Sequence, residues 1–454
     1  FCGAFVNLVY QVASNFAGAI ATVEFLMYFD YFAKKEYGER YYTTHKKDII
    51  QELQGVVFSL NQPATARGNQ SVFWNISVYD ENYFKALFGD FVFPCGTKPD
   101  YTTIKELQNV FMEWFTVART TELLTFPVVT SAYLTSKEDK LPLDKAFMEQ
   151  RAKEMSKGLS FFHYQSDSAD SLSSCCRLRS ELVDNTFSYS LGAGGVVAGS
   201  FQVITINFNR FYQLYTATEL PSLIDRVHKY LDAHRRIYSR YITAGLLPVY
   251  TAGYMHLEKQ FGTIGINGML EAYEYAKEYE KTTLSKEVFF SQLLKIIKDK
   301  NTDAKSIYGY RFNTEFVPAE NLGVKNSKWD KQLGLFSPRE CYNSYFFEVE
   351  DTTLSILDKM YIHGDFITQY LDGGSACHIN LEQLPSQKQA EHLIMLACQL
   401  GVPYWTTNVL CTICKSCGYI NPQTHNHCTE CGCKEIDYAT RIIGYLKPIS
   451  AYAK

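Results

Sequence analysis

The pattern of apolar and polar positions changes period repeatedly along the chain. Apolar residues spaced three and four apart predict an amphipathic helix over 104–120, whereas alternation of apolar and polar residues predicts a strand over 71–79. The same criteria predict further helices over 16–37, 51–60, 220–244 and 270–280, and short buried strands over 126–133, 202–208, 262–266 and 311–317. Because strands that alternate with helices form βαβ units, the pattern predicts an α/β fold with a mainly parallel sheet, either open or closed as a barrel.

The bulk composition indicates a large folded protein and argues against two classes of partner. A chain of 454 residues, 46% of them hydrophobic, can bury the core of one large domain or two ordinary ones. A formal net charge of -4 argues against direct nucleic acid binding, and no apolar run of 18 residues predicts a membrane span. The 13 cysteines are odd in number and partly clustered, which favours metal ligation in a reducing cytoplasm over disulfides.

Four cysteines near the C-terminus have the spacing of a zinc site. Two Cys-x-x-Cys pairs are separated by a short loop, so that each pair can bind one edge of a tetrahedral ion; the ligands are Cys414, Cys417, Cys428 and Cys431. This geometry favours the inner four over the flanking Cys411 and Cys433. Since four thiolates leave no open coordination position, we expect the zinc to support structure and not to activate water.

Two further features suggest reactive chemistry. Gly444 lies shortly after the cysteine quartet in an apolar run, Arg-Ile-Ile-Gly-Tyr, so the metal would support a segment that presents a glycine backbone. Cys175 and Cys176 precede a glycine-rich stretch over 191–200, which can carry thiols on a loop tip into a cavity. The alternative for these two cysteines is that they are small core residues.

Three segments have weaker signals for substrate binding or catalysis. Gly265, Asn267 and Gly268 lead a strand into a helix, whose first amides can bind phosphate, although glycines are common at such junctions. Glu315 ends an apolar strand as a catalytic candidate, and a helix cap or an ion pair is an equally good explanation. The turn at Gly373, Gly374 and Ser375 fits either phosphate binding or loop packing.

The quartet followed by Arg-Ile-Ile-Gly-Tyr resembles the C-terminus of the anaerobic (class III) ribonucleoside-triphosphate reductases, which are glycyl radical enzymes. The resemblance includes Cys-Cys-Arg-Leu, Gly-Thr-Ile-Gly-Ile-Asn-Gly, Asn-Thr-Glu-Phe-Val-Pro-Ala-Glu-Asn and Gln-Tyr-Leu-Asp-Gly-Gly-Ser, and so covers nearly all of the chain. It implies a ten-stranded α/β barrel of the glycyl radical type. Residues 1–405 would form the barrel with a finger loop near 173–201, and residues 406–454 the zinc ribbon and glycyl radical loop.

The resemblance also implies a reaction and its participants. A radical on Gly444 would pass to Cys176, which is followed by Arg as in the family, and the thiyl would take the ribose 3′-hydrogen so that the 2′-hydroxyl leaves as water. Cys175 would pack beneath the tip of the finger loop or assist the reaction. The expected cofactors are structural Zn²⁺, the glycyl radical and ATP or deoxynucleotide effectors. The expected partners are a radical-SAM activating enzyme, ribonucleoside triphosphates, a second copy in a homodimer, and an electron donor.

Departures from the family pattern set further expectations. Reductases that use formate carry Met-Gly before the thiyl cysteine, whereas this chain has Ser174 and Cys175, so a thioredoxin- or glutaredoxin-type donor is favoured over formate. The family's second active-site cysteine is expected upstream of residue 1, together with any regulatory cone. The chain would then be truncated at its N-terminus and its barrel incomplete.

Two other functions are compatible with part of the sequence. A formate-lyase-like glycyl radical acyltransferase would share the adjacent cysteines and the Arg-x-x-Gly-Tyr segment, but such enzymes lack the cysteine quartet before the glycine. A non-catalytic zinc-ribbon interaction protein would explain the quartet, but not the apolar segment at Gly444 or the thiols at Cys175 and Cys176. The reductase explains all three features.

Overall fold

The computed structural model describes residues 1–16, 18–65, 68–169, 171–174, 178–181, 199–316, 320–343, 345–347, 351, 353–442 and 445–448. The contacts divide the chain into two compact units. The first unit comprises residues 1–175, 182–195 and 378–454, and the second comprises 176–181 and 196–377. The predicted division at residue 405 and the predicted closure of the barrel remain predictions. Among the described residues, none of the helices combines the length and the hydrophobicity that a membrane span requires.

Helices and strands alternate through most of the chain, which confirms the α/β class. The α-helices are α1 Cys2–Ala13, α2 Phe25–Tyr37, α3 Tyr41–Thr44, α4 Lys46–Asn61, α5 Glu81–Phe88, α6 Tyr101–Thr121, α7 Lys145–Ser156, α8 Phe208–Leu214, α9 Leu220–Thr243, α10 Pro248–Thr251, α11 Met269–Glu278, α12 Lys286–Tyr308, α13 Glu320–Gln332, α14 Ile356–Tyr361 and α15 Gln387–Gln399. The strands are β1 Ile20–Ala21, β2 Trp74–Tyr79, β3 Val128–Leu134, β4 Phe162–Ser166, β5 Ser171–Ser174, β6 Leu178–Glu181, β7 Gly199–Asn207, β8 Gln260–Asn267, β9 Phe312–Phe316, β10 Cys377–Leu381, β11 Tyr404–Val409, β12 Cys411–Cys414, β13 Ile420–Asn421, β14 Ile436–Ile442 and β15 Tyr445–Pro448.

The main sheet of the first unit has the strand order β1-β2-β3-β4-β11-β10. The strands from β1 to β4 are parallel, and β11 pairs with β4 in the antiparallel sense. Every residue of β2 is buried, although the alternation over 71–79 is typical of a strand with one exposed face. Both faces of this sheet are therefore covered, so its polar positions are interior positions.

One predicted helix of the first unit is shorter than expected. The apolar pattern over 16–37 predicts one helix, but α2 begins only at Phe25. Ile20 and Ala21 instead pair with Trp74 and Asn75 of β2 as the edge strand β1. The Ile20 amide donates to the carbonyl of Phe73 at 2.8 Å and the Thr22 amide to that of Asn75 at 3.0 Å, so tertiary pairing overrides the local helical pattern.

A second, antiparallel sheet of the first unit has the order β13-β12-β14-β15. We call this sheet, residues 411–448, the cysteine ribbon. Its strand β12 pairs with β14 from Cys411 opposite Ala439 to Cys414 opposite Ile436, and β14 pairs with β15 up to Ile442 opposite Tyr445. The ribbon contacts α6 and β11, so it is anchored on the first unit.

The second unit is built on the parallel sheet β7-β8-β9. These strands confirm the predictions over 202–208, 262–266 and 311–317, and α9 and α11 confirm the helices over 220–244 and 270–280. Helices α9 and α12 pack on the sheet, and the core is formed by apolar side chains such as Ile264, Leu294 and Phe316. Parallel strands bring their carboxyl ends to one edge, where Asn207 and Asn267 lie side by side.

Candidate active site and metal centre

The four predicted metal ligands are brought together in the cysteine ribbon. All four sulfur atoms lie within 4.8 Å of one another, and the closest pairs, Cys414 with Cys431 and Cys417 with Cys428, are both 3.6 Å apart. Four thiolates at about 2.3 Å from a tetrahedral Zn²⁺ would lie about 3.8 Å apart. The residues therefore fit a zinc ion without rearrangement of the backbone.

Each Cys-x-x-Cys pair folds into a tight turn because a glycine follows it. Gly418 and Gly432 have φ of 76° and 72°, a left-handed conformation that favours glycine, and their amides donate to the carbonyls of Cys414 and Cys428. The amide of Cys417 also donates to Cys414 Sγ at 3.4 Å, and this hydrogen bond lowers the pKa of Cys414 to about 6. The first turn thus stabilises the thiolate of Cys414, the form that binds metal.

The flanking cysteines make other contacts. Cys411 Sγ lies 3.6 Å from the carbonyl of Val409, and burial raises the pKa of Cys411 to about 11. Cys433 Sγ accepts a hydrogen bond from the amide of Glu435 at 3.3 Å. Both observations support the choice of the inner four as ligands.

The predicted radical residues lie next to described strands. Gly444 lies outside the described residues, but Ile442 and Tyr445 on either side of it are paired between β14 and β15. Cys175 and Cys176 also lie outside the described residues, and β5 ends one position before them. Because β14 pairs along the cysteine-bearing β12, the quartet supports the strand that leads to Gly444.

Three of the predicted site residues form one row in the second unit. In the register of the parallel strands Gly265 lies opposite Glu315, and Glu315 forms a bridge with Gly374. Residues in register share a face of the sheet, so Glu315, which is 8% exposed, has a glycine on both sides. The structure therefore brings Gly265, Glu315 and Gly374 together, and their role in substrate binding or catalysis remains a prediction.

The turn with Gly373 and Ser375 is held tightly against β9. The Gly373 amide donates to the carbonyl of Thr314 at 2.8 Å, and a Cβ at Gly373 would lie 2.7 Å from that oxygen. Ser375 Oγ lies 2.8 Å from His363 Nδ1, and both residues are buried. Close approach of the backbone thus explains Gly373, and the role of this turn in binding substrate remains a prediction.

The strand-to-helix junction after β8 is closely packed by protein groups. Asn267 is fully buried; its Oδ1 accepts from Asn326 Nδ2 at 2.8 Å and its Nδ2 donates to the carbonyl of Asn343. Gly268 has φ of 76°, and a Cβ there would lie 3.1 Å from Asn207 Oδ1. These contacts fix the start of α11, and phosphate binding at Gly265, Asn267 and Gly268 remains a prediction.

A buried polar cluster at the strand ends was missed by sequence reasoning. Asp330 in α13 is completely buried and accepts hydrogen bonds from residues of the β7 end and beyond: Asn207, Asn209, Arg210 and Tyr342, at 2.6–3.2 Å. We call these five residues the strand-end network. The available signal was two asparagines at the end of an apolar strand, Asn207 and Asn209, because Asp330 lies far away in the sequence.

A second carboxylate anchors the next helix in the same region. Glu271 in α11 is buried, and its Oε1 accepts from Arg339 at 2.6 Å and from the amide of Asn343 at 2.7 Å. Burial raises the pKa of Glu271, and Arg339 opposes that shift. Arg339 also donates to Glu274 at 2.8 Å. The loop around residue 340 is therefore tied to α11 by paired charges.

Comparison with known proteins identifies the family. The family model of the anaerobic ribonucleoside-triphosphate reductases matches residues 1–454. The anaerobic ribonucleotide reductase of Thermotoga maritima in complex with dATP and CTP is similar to this chain with a TM-score of 0.86 and 29% identity, covering 99% of this chain and 75% of that one.

Two further solved structures give the same result. One described as anaerobic ribonucleotide reductase has a TM-score of 0.86 and 29% identity, over 99% of this chain and 71% of that one. The Thermotoga maritima enzyme with dATP bound in the specificity site has a TM-score of 0.84 and 28% identity, covering 100% of this chain and 77% of that one. A search of curated proteins found no match. The chain thus belongs to the anaerobic ribonucleoside-triphosphate reductases, oxidoreductases that reduce ribonucleotides.

Proposed function

We propose that the chain reduces ribonucleoside triphosphates by hydrogen-atom transfer between Gly444, Cys176 and the substrate ribose, supplying precursors for DNA. The observation that carries this proposal is the cysteine quartet joined through β12 and β14 to the strand before Gly444. A formate-lyase-like acyltransferase would lack the quartet, and a non-catalytic ribbon would not fit a family match over the whole chain.

The residue types at these positions suit radical transfer. A radical on the Gly444 Cα is delocalised between an electron-donating amide nitrogen and an electron-withdrawing carbonyl, and no side chain opposes planarity. A cysteine S–H bond has similar strength to that Cα–H bond. Hydrogen can therefore pass from Cys176 to Gly444 with little loss of energy, which leaves a thiyl on Cys176.

The proposed reaction balances with an external two-electron donor. The thiyl takes the ribose 3′-hydrogen, the 2′-hydroxyl leaves with a proton as water, and two electrons with two protons convert the oxidised sugar to the deoxyribose. The 3′-hydrogen then returns and regenerates the thiyl. A dithiol protein is the favoured donor, with formate as the alternative, and Cys175 assists or packs beside Cys176.

We propose that Glu315 acts as a proton donor or acceptor in this reaction. It lies in one row with Gly265 and Gly374, which are two further residues of the predicted site. A carboxyl group there can accept a hydrogen bond from a ribose hydroxyl or protonate the departing one. Backbone amides around Gly268 and Gly373, with the side chains of Asn267 and Ser375, are proposed to contact the substrate nearby.

The remaining participants follow from the family and the geometry. We propose that the four cysteines of the quartet bind Zn²⁺. When bound, the ion would hold the ribbon rigid and would have no open coordination position for catalysis. The Thermotoga enzyme binds dATP in a specificity site, and we propose ATP and deoxynucleotide effectors here as well. A radical-SAM activating enzyme, a homodimer and a cytoplasmic location complete the proposal.

The test is electron paramagnetic resonance of the protein after anaerobic treatment with its activating enzyme, S-adenosylmethionine and reductant. We expect a glycine-type doublet, and after brief exposure to air a backbone cut at Gly444 detected by intact mass. Gly444→Ala should lose both. No doublet and no cut, with zinc bound and the activating enzyme competent on another protein, would contradict the proposal.

The two cysteines are separated by their single variants. Cys176→Ser should keep the doublet and lose deoxynucleotide formation completely, because the radical is stored on Gly444 but cannot reach the ribose. Cys175→Ser should keep both the doublet and some reduction. If Cys175→Ser alone abolishes reduction, the roles of the two cysteines are exchanged.

A further inference from the structure

A cavity lies between the C-terminal turns of α6 and the cysteine ribbon. Its other walls are the loop between α7 and β4, the loop before α15 and the end of β11, all in the first unit. The loop after α7 packs closely on the ribbon at Gly158, which has φ of 88° and where a Cβ would collide with the ring of Pro422. We call this space the ribbon cavity.

The ribbon cavity has the size of a small ion. Its volume is about 50 Å³. Because a buried water needs about 10–15 Å³, the cavity has room for about four water-sized groups. A ligand there would touch α6 on one side and the ribbon on the other.

The charged residues that line the ribbon cavity are cations. They are Arg119 of α6 and Lys157 after α7, and none of the described lining residues is an aspartate or a glutamate. Lys157 is exposed, whereas Arg119 is half-buried with its Nε fully buried. The ring of Phe115 covers one face of the guanidinium, 4.5 Å from Cζ. The cavity is therefore a positively charged space.

The hydrogen-bonding capacity of Arg119 is only partly used. Nη1 donates to the carbonyl of Ser160 and Nη2 to that of Leu124, both at 3.2 Å. These bonds are longer than the roughly 2.7–2.9 Å that is usual between a cationic N–H and a charged acceptor. Nε has no acceptor in the described part of the chain. Neutral carbonyls therefore satisfy two of the five N–H groups.

The charge of Arg119 is not balanced by a neighbouring carboxylate. Burial lowers the pKa of Arg119 to about 10, and within the described residues Cys411 is the one titratable group that opposes this shift. Burial raises the pKa of the Cys411 thiol to about 11, so this thiol is uncharged at neutral pH. A cation thus lies beside the cavity without an anion.

Another arginine of the first unit shows the usual arrangement. Arg151 in α7 is 1% exposed, and its Nη2 donates to Glu154 at 2.9 Å. Buried charges are normally paired in this way, because an unpaired charge in a poorly solvated place is costly. Arg119 lacks such a partner, and the ribbon cavity beside it provides the space for one.

The donor geometry selects the class of anion. A guanidinium presents its N–H groups as a rigid fork, which suits two oxygens of one oxyanion better than a single chloride. Lys157 can bind a further oxygen. A tetrahedral anion with four oxygens therefore fits the two cations and the volume better than a carboxylate with two oxygens.

We propose that the ribbon cavity binds inorganic phosphate, which pairs with Arg119 and fastens the cysteine ribbon to the main sheet of the first unit. Because β12 of the ribbon pairs with β14, the strand before Gly444, bound phosphate also limits the movement of that strand. This inference goes beyond the proposed radical chemistry, and its test uses the protein before activation.

The experiment is hydrogen–deuterium exchange of the full chain in increasing sodium phosphate, with sodium chloride of equal ionic strength as the comparison. Phosphate should slow exchange over 116–124, 157–160 and 411–422, sulfate should act similarly, and chloride should not. The concentration at half effect gives an apparent Kd. Arg119→Met should raise this Kd at least about tenfold, because a charge-assisted hydrogen bond is lost. Arg119→Lys, which keeps the charge without the fork, should give an intermediate value.

A surface lysine provides the matched control. Lys157→Met should raise the apparent Kd by up to about fivefold, as expected for an exposed charge. Lys153 is also exposed, lies one turn earlier and does not line the cavity. Lys153→Met removes the same charge and should leave the Kd unchanged.

Several results would overturn the phosphate site. They are equal slowing by chloride, an unchanged phosphate response in Arg119→Met, and slowing that is absent from the three segments in the wild type. If Arg119→Met does not fold, an unchanged Kd in Lys157→Met would overturn it as well. Slowing that depends on Arg119, in a protein that gives no glycine doublet after activation, would support the phosphate site and contradict the radical function.

Discussion

The cysteine ribbon and the strand-end network hold backbone in place by different means. In the ribbon, Cys414 and Cys431 are only 17 positions apart, and two short turns bring all four sulfurs together. In the strand-end network, Asp330 bonds Asn207 and Arg210, which are 123 and 120 positions away. The proposed Zn²⁺ would neutralise the thiolates of the ribbon, whereas the network neutralises its carboxylate with an arginine and neutral donors.

The difference explains how each region tolerates change. A zinc ligand set is closed, so the loss of one sulfur removes the ion and the support of the whole ribbon. The strand-end network has several donors on one carboxylate, so each donor contributes part of the stabilisation. The acceptor itself is shared, and its loss leaves every donor without a partner.

The largest effect is expected for a ligand of the quartet. Cys428→Ser should lose zinc and radical formation on Gly444, because β14 is no longer supported by β12, while the main sheets keep their fold. Zinc content, circular dichroism and the glycine doublet measure these properties. The matched control is Cys433→Ser in the same ribbon, which should retain zinc and radical. Full radical yield in zinc-free Cys428→Ser would show that the metal does not support Gly444.

The second-largest effect is expected in the strand-end network. Asp330→Ala should lower the free energy of unfolding by about 3–5 kcal/mol, because it leaves Arg210 and buried amides without their acceptor. Chemical denaturation measures the change. Asp299→Ala, which removes an exposed ion pair with Lys295 in α12, should leave the free energy of unfolding nearly unchanged. Equal losses in the two variants would mean that burial of Asp330 adds nothing.

The smallest effect concerns a strand-end carboxylate of the first unit. Asp80 caps α5, accepting from the amides of Tyr83 and Leu134, and burial raises the pKa of Asp80 to about 7. The pKa of an unfolded aspartate is about 3.9, so the folded state holds the proton more tightly. Stability should therefore be full below pH 4 and fall as pH rises towards 7, by roughly 1–2 kcal/mol after allowance for the two amide donors.

Asp80→Asn should lack this part of the pH dependence, because the amide does not titrate. Chemical denaturation at pH 5 and pH 7.5 compares the two proteins, and the wild type should lose more stability between these values. If both proteins lose the same stability between pH 5 and pH 7.5, the pKa of Asp80 in the folded state must lie near its ordinary value.

Local patterns were sufficient for the ribbon and for most elements of the sheets. The cluster of four cysteines could be predicted because Cys-x-x-Cys pairs close within a few residues and their chemistry depends little on the rest of the fold. Helices such as α6 and α9 were predicted because their apolar stripes are long. The predicted start of the helix over 16–37 was wrong because pairing of β1 with the distant β2 determines the conformation of Ile20 and Ala21.

The sequence by itself determined the α/β class, the cluster of four cysteines, the resemblance at Gly444 and the reductase family. Only the tertiary structure placed Glu315 between two glycines and gathered four residues around Asp330. These arrangements depend on strand register and on contacts between residues far apart in the chain. A hydrophobic pattern specifies which positions are buried, but the register of distant strands decides which buried polar atoms meet.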